Sequence, residues 1–258
     1  MCQRQFSSAS IMWGQAHHRP WYSIMKRRWS TSPPVKIHTM LEEIADDPHL
    51  ILASGSPRRQ ELLALLRVPF EVIASRWVED ETPGAGETPE GFAVRLAWQK
   101  AMAVASLHPQ DLVLAADTIV VLNGGVLGKP KDAQAAAETL QDLRGKAHQV
   151  ITGLFLARLS TGLQLASSDL TMVHFRHYTD QEIEAYVSAG DPMDKAGAYG
   201  IQHESFQPAE RIEGCYFNVV GLPCCVVARL LLKARLDVMV PNFPAADACR
   251  KAECSLVA

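Results

Sequence analysis

The chain has 258 residues, 48% of them apolar and 21% charged, a balance that excludes a mainly disordered chain. No apolar run approaches the roughly 18–20 residues that span a bilayer, so a membrane partner is not expected. The formal charge of −3 is unevenly divided: residues 1–41 hold Arg4, Arg19, Lys26, Arg27, Arg28, Lys36 and no acid, which leaves −9 for 42–258, too acidic a remainder to suggest a nucleic-acid partner.

Residues 1–45 show no sustained period, and Ser32-Pro33-Pro34 breaks any element. The first 41 residues, acid-free and rich in Ser and Arg, make the extension 1–48 read as a transit peptide, directing mitochondrial import of a protein otherwise expected in the cytoplasm. The alternatives are an unstructured extension, or residues upstream of a true start at Met25 or Met40.

The character changes near residue 50. Leu50–Ser54 is a short apolar run ending in small residues, a buried-strand pattern. Pro57 suits the first turn of a helix capped by Ser56, with Leu62, Leu63, Leu65 and Leu66 on its apolar face. Phe70–Ala74 reads as a strand, 79–91 as a loop and Phe92–Leu107 as a helix. Leu112–Ala116 is a buried strand that resumes after Asp117 as Ile119–Leu122 and ends at the turn Asn123-Gly124-Gly125. A helix over 132–143 stops at Gly145. Val150–Leu159 and Leu170–Tyr178 read as paired strands. Thr179 and Glu182 form a capping box that opens a helix over 180–189. Residues 191–213 read as a loop, Tyr216–Val220 as a last strand, and Pro223 to about Leu236 as a terminal helix. The spacing divides the chain into an extension (1–48), one folded domain (49–237) and a disordered tail (238–258). Alternating strands and helices give an α/β class with a mixed sheet flanked by helices.

Six cysteines at 2, 215, 224, 225, 249 and 254 form no C-x-x-C pair and read as free thiols. The nine histidines show no metal-ligand spacing and read mostly as surface or strand-face residues.

Five segments are placed for chemistry. Ser54-Gly55-Ser56-Pro57-Arg58-Arg59 joins a strand to a helix, where backbone N–H groups and two arginine forks suit a phosphate; the plain alternative is a helix cap with two solvated arginines. Asp117 stands at the lip of a buried strand, either structural or catalytic. Asp80-Glu81-Thr82 offers oxygen ligands for a divalent cation, or is an acidic loop. Lys100 and Lys129 are possible phosphate clamps or ordinary surface lysines. Lys195-Ala-Gly-Ala-Tyr199-Gly200-Ile201-Gln202 is a glycine-rich loop ending in an amide that can read a base edge, or a connector of small residues.

Taken in order, S-G-S-P-R-R, D-E-T, A-D-T, G-K-P, K-A-G-A-Y-G-I-Q and V-V-G-L-P resemble the Maf family of nucleoside triphosphate pyrophosphatases over residues 49–236. The resemblance implies two lobes around a deep nucleotide cleft, a homodimer, and a divalent metal, Mg²⁺ or Mn²⁺. It puts the catalytic base at Asp117 and the metal carboxylate at Glu81, with a register uncertain within Glu79–Glu81. It puts phosphate contacts at Ser54, Arg59, Lys100 and Lys129, and specificity positions at Arg58, Thr118 and Gln202. Arg, Thr and Gln at those three positions match the branch acting on dTTP and UTP, with modified pyrimidine nucleotides as further candidates. The alternatives are a 7-methyl-GTP pyrophosphatase and a non-catalytic nucleotide-binding regulator of cell division. The sequence departs from the family in its 1–48 extension.

Overall fold

The computed structural model describes residues 35–36, 48–75 and 82–240, with side chains for 48–75 and 82–238. Strand β1 (Val35–Lys36) pairs antiparallel with the last strand, β9 (Met239–Val240). The expected extension and tail therefore each contribute two residues to a ribbon; apart from Pro48 and Val238, the rest of both lies outside the described residues.

The domain is built on one mixed sheet. β2 (Leu50–Leu52), β3 (Phe70–Val72), β4 (Leu112–Leu122), β6 (Ala147–Arg158), β7 (Leu163–Phe175) and β8 (Ala209–Glu213) lie in the order β3-β2-β4-β6-β7-β8, and β5 (Gly125–Leu127) pairs with the far end of β4. β3, β2 and β4 are parallel, and every other pairing is antiparallel.

Among the described residues six α-helices cover it: α1 (Pro57–Ala64), α2 (Pro89–Ala105), α3 (Ala133–Leu143), α4 (Asp180–Ser188), α5 (Tyr216–Val220) and α6 (Cys224–Lys233). The period of two along β4 decides which helix meets which side chain. Leu112, Leu114 and Ala116 pack with α1 and α6 on one face, whereas Val113 and Ala115 pack with Ala97, Ala101 and Val104 of α2 on the other. A second cluster, with Leu140 and Leu143 of α3, Tyr186 of α4 and Tyr199, fills a lobe beyond the far end of the sheet. β4 thus runs from one core into the next.

Three expectations are corrected. Tyr216–Val220 is a helical turn, not a strand, closed by Gly221 in a left-handed conformation. Its aromatic and β-branched residues suit a pleated surface, but that preference reflects packing context more than backbone. Here Asn218 is fully buried and donates through its amide to Val150 O and Thr171 Oγ1, which holds the turn against β6 and β7. Residues 209–213, read as loop, form β8. β6 and β7 begin three and seven residues earlier than the apolar pattern suggests, because their first residues bury little apolar surface: β7 opens with alternately half-buried and exposed residues. His148, a strand residue of β6, is 1% exposed, with Nε2 2.8 Å from the Tyr199 hydroxyl.

Other details follow the sequence. Thr179 and Glu182 make the reciprocal capping box on α4, and Asp132 caps α3 by accepting from Ala135 N. Cys215, Cys224 and Cys225 are buried free thiols, with burial pushing the Cys215 thiol up to about 12. Cys2, Cys249 and Cys254 lie outside the described residues.

Candidate active site

β2 is short and β4 is long, and the difference opens a notch. β2 pairs with β4 only as far as Leu114, and β5 pairs with it only from Val120. Among the described residues, positions 115–119 of β4 therefore have no strand partner on that edge. Asp117 and Thr118 sit in this gap and point to opposite faces of the sheet.

Asp117 faces α2. It is buried, with 7% exposure, and forms a close ion pair through Oδ1 with Lys100 Nζ, itself well buried. α2 approaches closely because Gly153 lies opposite Asp117 in the β4–β6 register. A Cβ at Gly153 would stand 2.2 Å from the Ala93 carbonyl carbon of α2.

Thr118 faces α1. Arg59 of α1 spans the turn with its whole guanidinium: Nε donates to Gly221 O at 3.0 Å, Nη2 to Thr118 Oγ1 at 3.2 Å and Nη1 to Ser54 Oγ at 3.4 Å. Ser56 occupies the N-cap position of α1 but makes no side-chain cap bond, and no acid lies in the first turn. Instead, Ser56 N donates to Ser54 Oγ at 3.3 Å. A helix start with no acidic side chain on it and an arginine laid across it retains the polarity that favours an anion.

Lys129 follows β5. Leu127 pairs with Val120, so the antiparallel direction carries the next residues back along the open edge towards Thr118. Gly197 N donates to Gly128 O at 3.1 Å, which ties this approach to the glycine-rich loop.

That loop is braced from beneath. The Tyr186 hydroxyl accepts from Gly200 N at 2.8 Å and donates to Asp191 Oδ2 at 2.5 Å. Lys195 Nζ donates to Asp191 O, Asp191 Oδ1 and Asp194 Oδ1, so this lysine braces the loop and is already engaged. Tyr199 packs into the second core rather than facing a ligand. At the end of the loop, Gln202 is half-buried. Arg58 is half-buried and its charge reaches Asp194: partial burial works against ionisation there, but Lys195 and then Arg58 hold Asp194 below the usual carboxylate range.

Ser54, Arg59 and Thr118 are thus joined on one face at the notch and Asp117 and Lys100 on the other, with Lys129 directed to it and Arg58 and Gln202 on the elements that border it. Glu81, with Asp80 and Glu79, lies outside the described residues. Residues that the sequence reading missed are Thr152 and Asn218, which extend the Thr118 contacts into the core. The signal for Thr152 was available: it is a polar residue in an otherwise apolar stretch of strand.

A divalent cation is implied by the family resemblance. Among the described residues no group of three or more His, Cys, Asp and Glu side chains assembles. That is compatible with a hard cation held by one or two carboxylates and by substrate phosphates, rather than by an all-protein cage. Glu81 is the sequence candidate for such a carboxylate, and Asp117 is the buried carboxylate at the described notch.

A family model described as Maf-like protein matches residues 49–234. The chain belongs to the Maf family. A dTTP/UTP pyrophosphatase of Bacillus cytotoxicus is 48% identical over 181 residues, covering 70% of this chain and 91% of that one. The protein of the same name from Clostridioides difficile is 44% identical over 185 residues, covering 72% and 94%. Among solved structures, a HAM1 protein from Coxiella burnetii matches with a TM-score of 0.36 and 15% identity, covering 62% of this chain and 92% of that one, a likeness too slight to carry weight. No described helix is long and apolar enough to cross a membrane.

Proposed function

We propose that this Maf-family chain hydrolyses dTTP and UTP to the nucleoside monophosphate and pyrophosphate. The observation that carries the reading is the notch on β4, where a buried carboxylate and three cationic side chains serve one open strand edge. The substrate class comes from relatives 44–48% identical over most of this chain and named dTTP/UTP pyrophosphatases.

Each residue has a task in this reading. Asp117 orients a water and takes its proton as the oxygen attacks the α-phosphorus. Lys100 fixes the carboxylate by pairing with Oδ1 and adds positive charge beside the phosphates. Arg59, held by Gly221, Ser54 and Thr118 before substrate arrives, presents a preoriented fork, and Lys129 completes the charge that receives pyrophosphate. A bound Mg²⁺ or Mn²⁺, with Glu81 as its protein ligand, would screen the triphosphate charge. Arg58, Thr118 and Gln202 select the base. The protein acts as a homodimer, and residues 1–48 address an otherwise cytoplasmic enzyme to mitochondria; gel filtration and imaging of the full chain test these two points.

The test of the activity is a panel of dTTP, UTP, CTP, 5-methyl-UTP, pseudo-UTP, GTP and 7-methyl-GTP with Mg²⁺ or Mn²⁺. Turnover led by dTTP and UTP is expected. Faster turnover of 7-methyl-GTP than of dTTP would overturn the substrate assignment, and nucleotide binding without turnover would overturn the enzymatic one.

A further inference from the structure

The hydrogen-bond polarity of Thr118 is fixed by residues behind it. Thr152 is fully buried on β6, directly opposite Thr118 in the β4–β6 register, and the two hydroxyl oxygens are 2.9 Å apart. Thr152 Oγ1 also lies 3.1 Å from Asn218 O, a carbonyl that can only accept. A hydroxyl has one proton. The Thr152 proton goes to Asn218 O, so the contact between the threonines uses the proton of Thr118. Thr118 Oγ1 accepts in turn from Arg59 Nη2 at 3.2 Å. Its proton and one lone pair are thereby occupied, and a single lone pair is left for a ligand.

Asn218 holds the end of this chain in place. It is fully buried in α5, and its amide donates to Val150 O at 2.9 Å and Thr171 Oγ1 at 3.0 Å. The Asn218 carbonyl therefore cannot turn away from Thr152 without breaking contacts to two strands.

We infer that Thr152 is a positioning residue for selectivity: it makes Thr118 an obligate acceptor, so that the notch prefers a nucleotide presenting an N–H or O–H donor there. The inference rests on the functional reading above. Two donors on the proposed substrates have this chemistry: the N3–H of uracil or thymine, where cytosine has a bare acceptor, and the sugar 3′-hydroxyl. Without the Thr152 hydroxyl, the Thr118 proton loses its acceptor and can rotate towards the ligand, and the preference weakens.

The experiment compares the UTP/CTP and dTTP/dideoxy-TTP ratios of kcat/KM in wild type, Thr152→Val, Thr152→Ser, Thr118→Val and the double variant Thr118→Val/Thr152→Val. Thr152→Val should lower one of the two ratios by about fivefold, the scale of one neutral hydrogen bond, and Thr152→Ser should restore it. The ratio that changes tells the base donor from the sugar donor. In the Thr118→Val background, Thr152→Val should change neither ratio by more than about twofold, since it acts through Thr118. If Thr152→Val does not fold, Thr152→Ala removes the same hydroxyl. A folded hydroxyl-free variant with both ratios within about twofold of wild type overturns the inference, as does an undiminished effect without the Thr118 hydroxyl. A wild type inactive on both UTP and dTTP instead counts against the functional reading.

Discussion

Replacing Arg59 with lysine keeps the charge at the start of α1 and removes the fork. The guanidinium makes two contacts of good length, to Gly221 O at 3.0 Å and Thr118 Oγ1 at 3.2 Å, and a longer one of 3.4 Å to Ser54 Oγ. An ammonium cannot reach three divergent acceptors at once. Losing two bonds from a charged donor, discounted because Arg59 is half-exposed, costs about 2–3 kcal/mol. For a domain of this size that corresponds to a drop in Tm of about 5–10 °C. Catalysis should suffer further, because the lysine must be positioned by the substrate instead of by the protein; a fall in kcat/KM of about 100-fold is expected. Thermal melting and steady-state hydrolysis of dTTP measure the two effects. An Arg59→Lys protein that melts within about 1 °C of wild type and keeps more than about half its kcat/KM would refute the claim that fork geometry is used.

Three other perturbations probe separate parts of the structure. Asp117→Asn removes the base while nearly preserving shape; kcat should fall by at least about 1,000-fold with dTTP binding retained, as read by calorimetry. Gly153→Ala puts a Cβ 2.2 Å from the α2 backbone at Ala93, so α2 must move. A stability loss of more than about 2 kcal/mol in denaturant titration, with lowered kcat as Lys100 shifts from Asp117, is expected. Burial, helped by His174, pulls the His148 imidazole down to about 4. Below pH 6.5 the unfolded chain binds a proton that the folded chain refuses, so stability is lost as pH falls from 6.5 towards 4, by up to about 3 kcal/mol. In urea titrations at several pH values, His148→Phe should remove this part of the acid sensitivity.

The parts of the fold legible in the sequence are those whose cause is local. β2 and β4 are apolar runs bounded by small or polar residues, and α4 carries its capping box within four residues. α5 was misread because what makes it helical is distant: Asn218 is anchored to Val150 and Thr171, 68 and 47 residues away. β8 and the start of β7 are half-exposed, and their mixed polarity resembles loop. The candidate site divides in the same way. Asp117, Arg59 and Lys129 stand out as charged residues beside breaks in apolar runs. Thr152 is visible only as a polar residue in an apolar stretch, and its importance arises when the β4–β6 register sets it opposite Thr118, 34 residues away. The orientation of Asp117 and Thr118 to opposite faces is implicit in their adjacency; that both lie on an open strand edge depends on where β2 stops and β5 begins.

The central claim is water attack on the α-phosphorus of dTTP or UTP at the β4 notch. Hydrolysis by the full chain in ¹⁸O-water, with products separated and weighed, tests it most directly. One ¹⁸O in the monophosphate, unlabelled pyrophosphate, and no turnover by Asp117→Asn are expected. Label in pyrophosphate, release of orthophosphate as the first product, or an undiminished Asp117→Asn enzyme would contradict it.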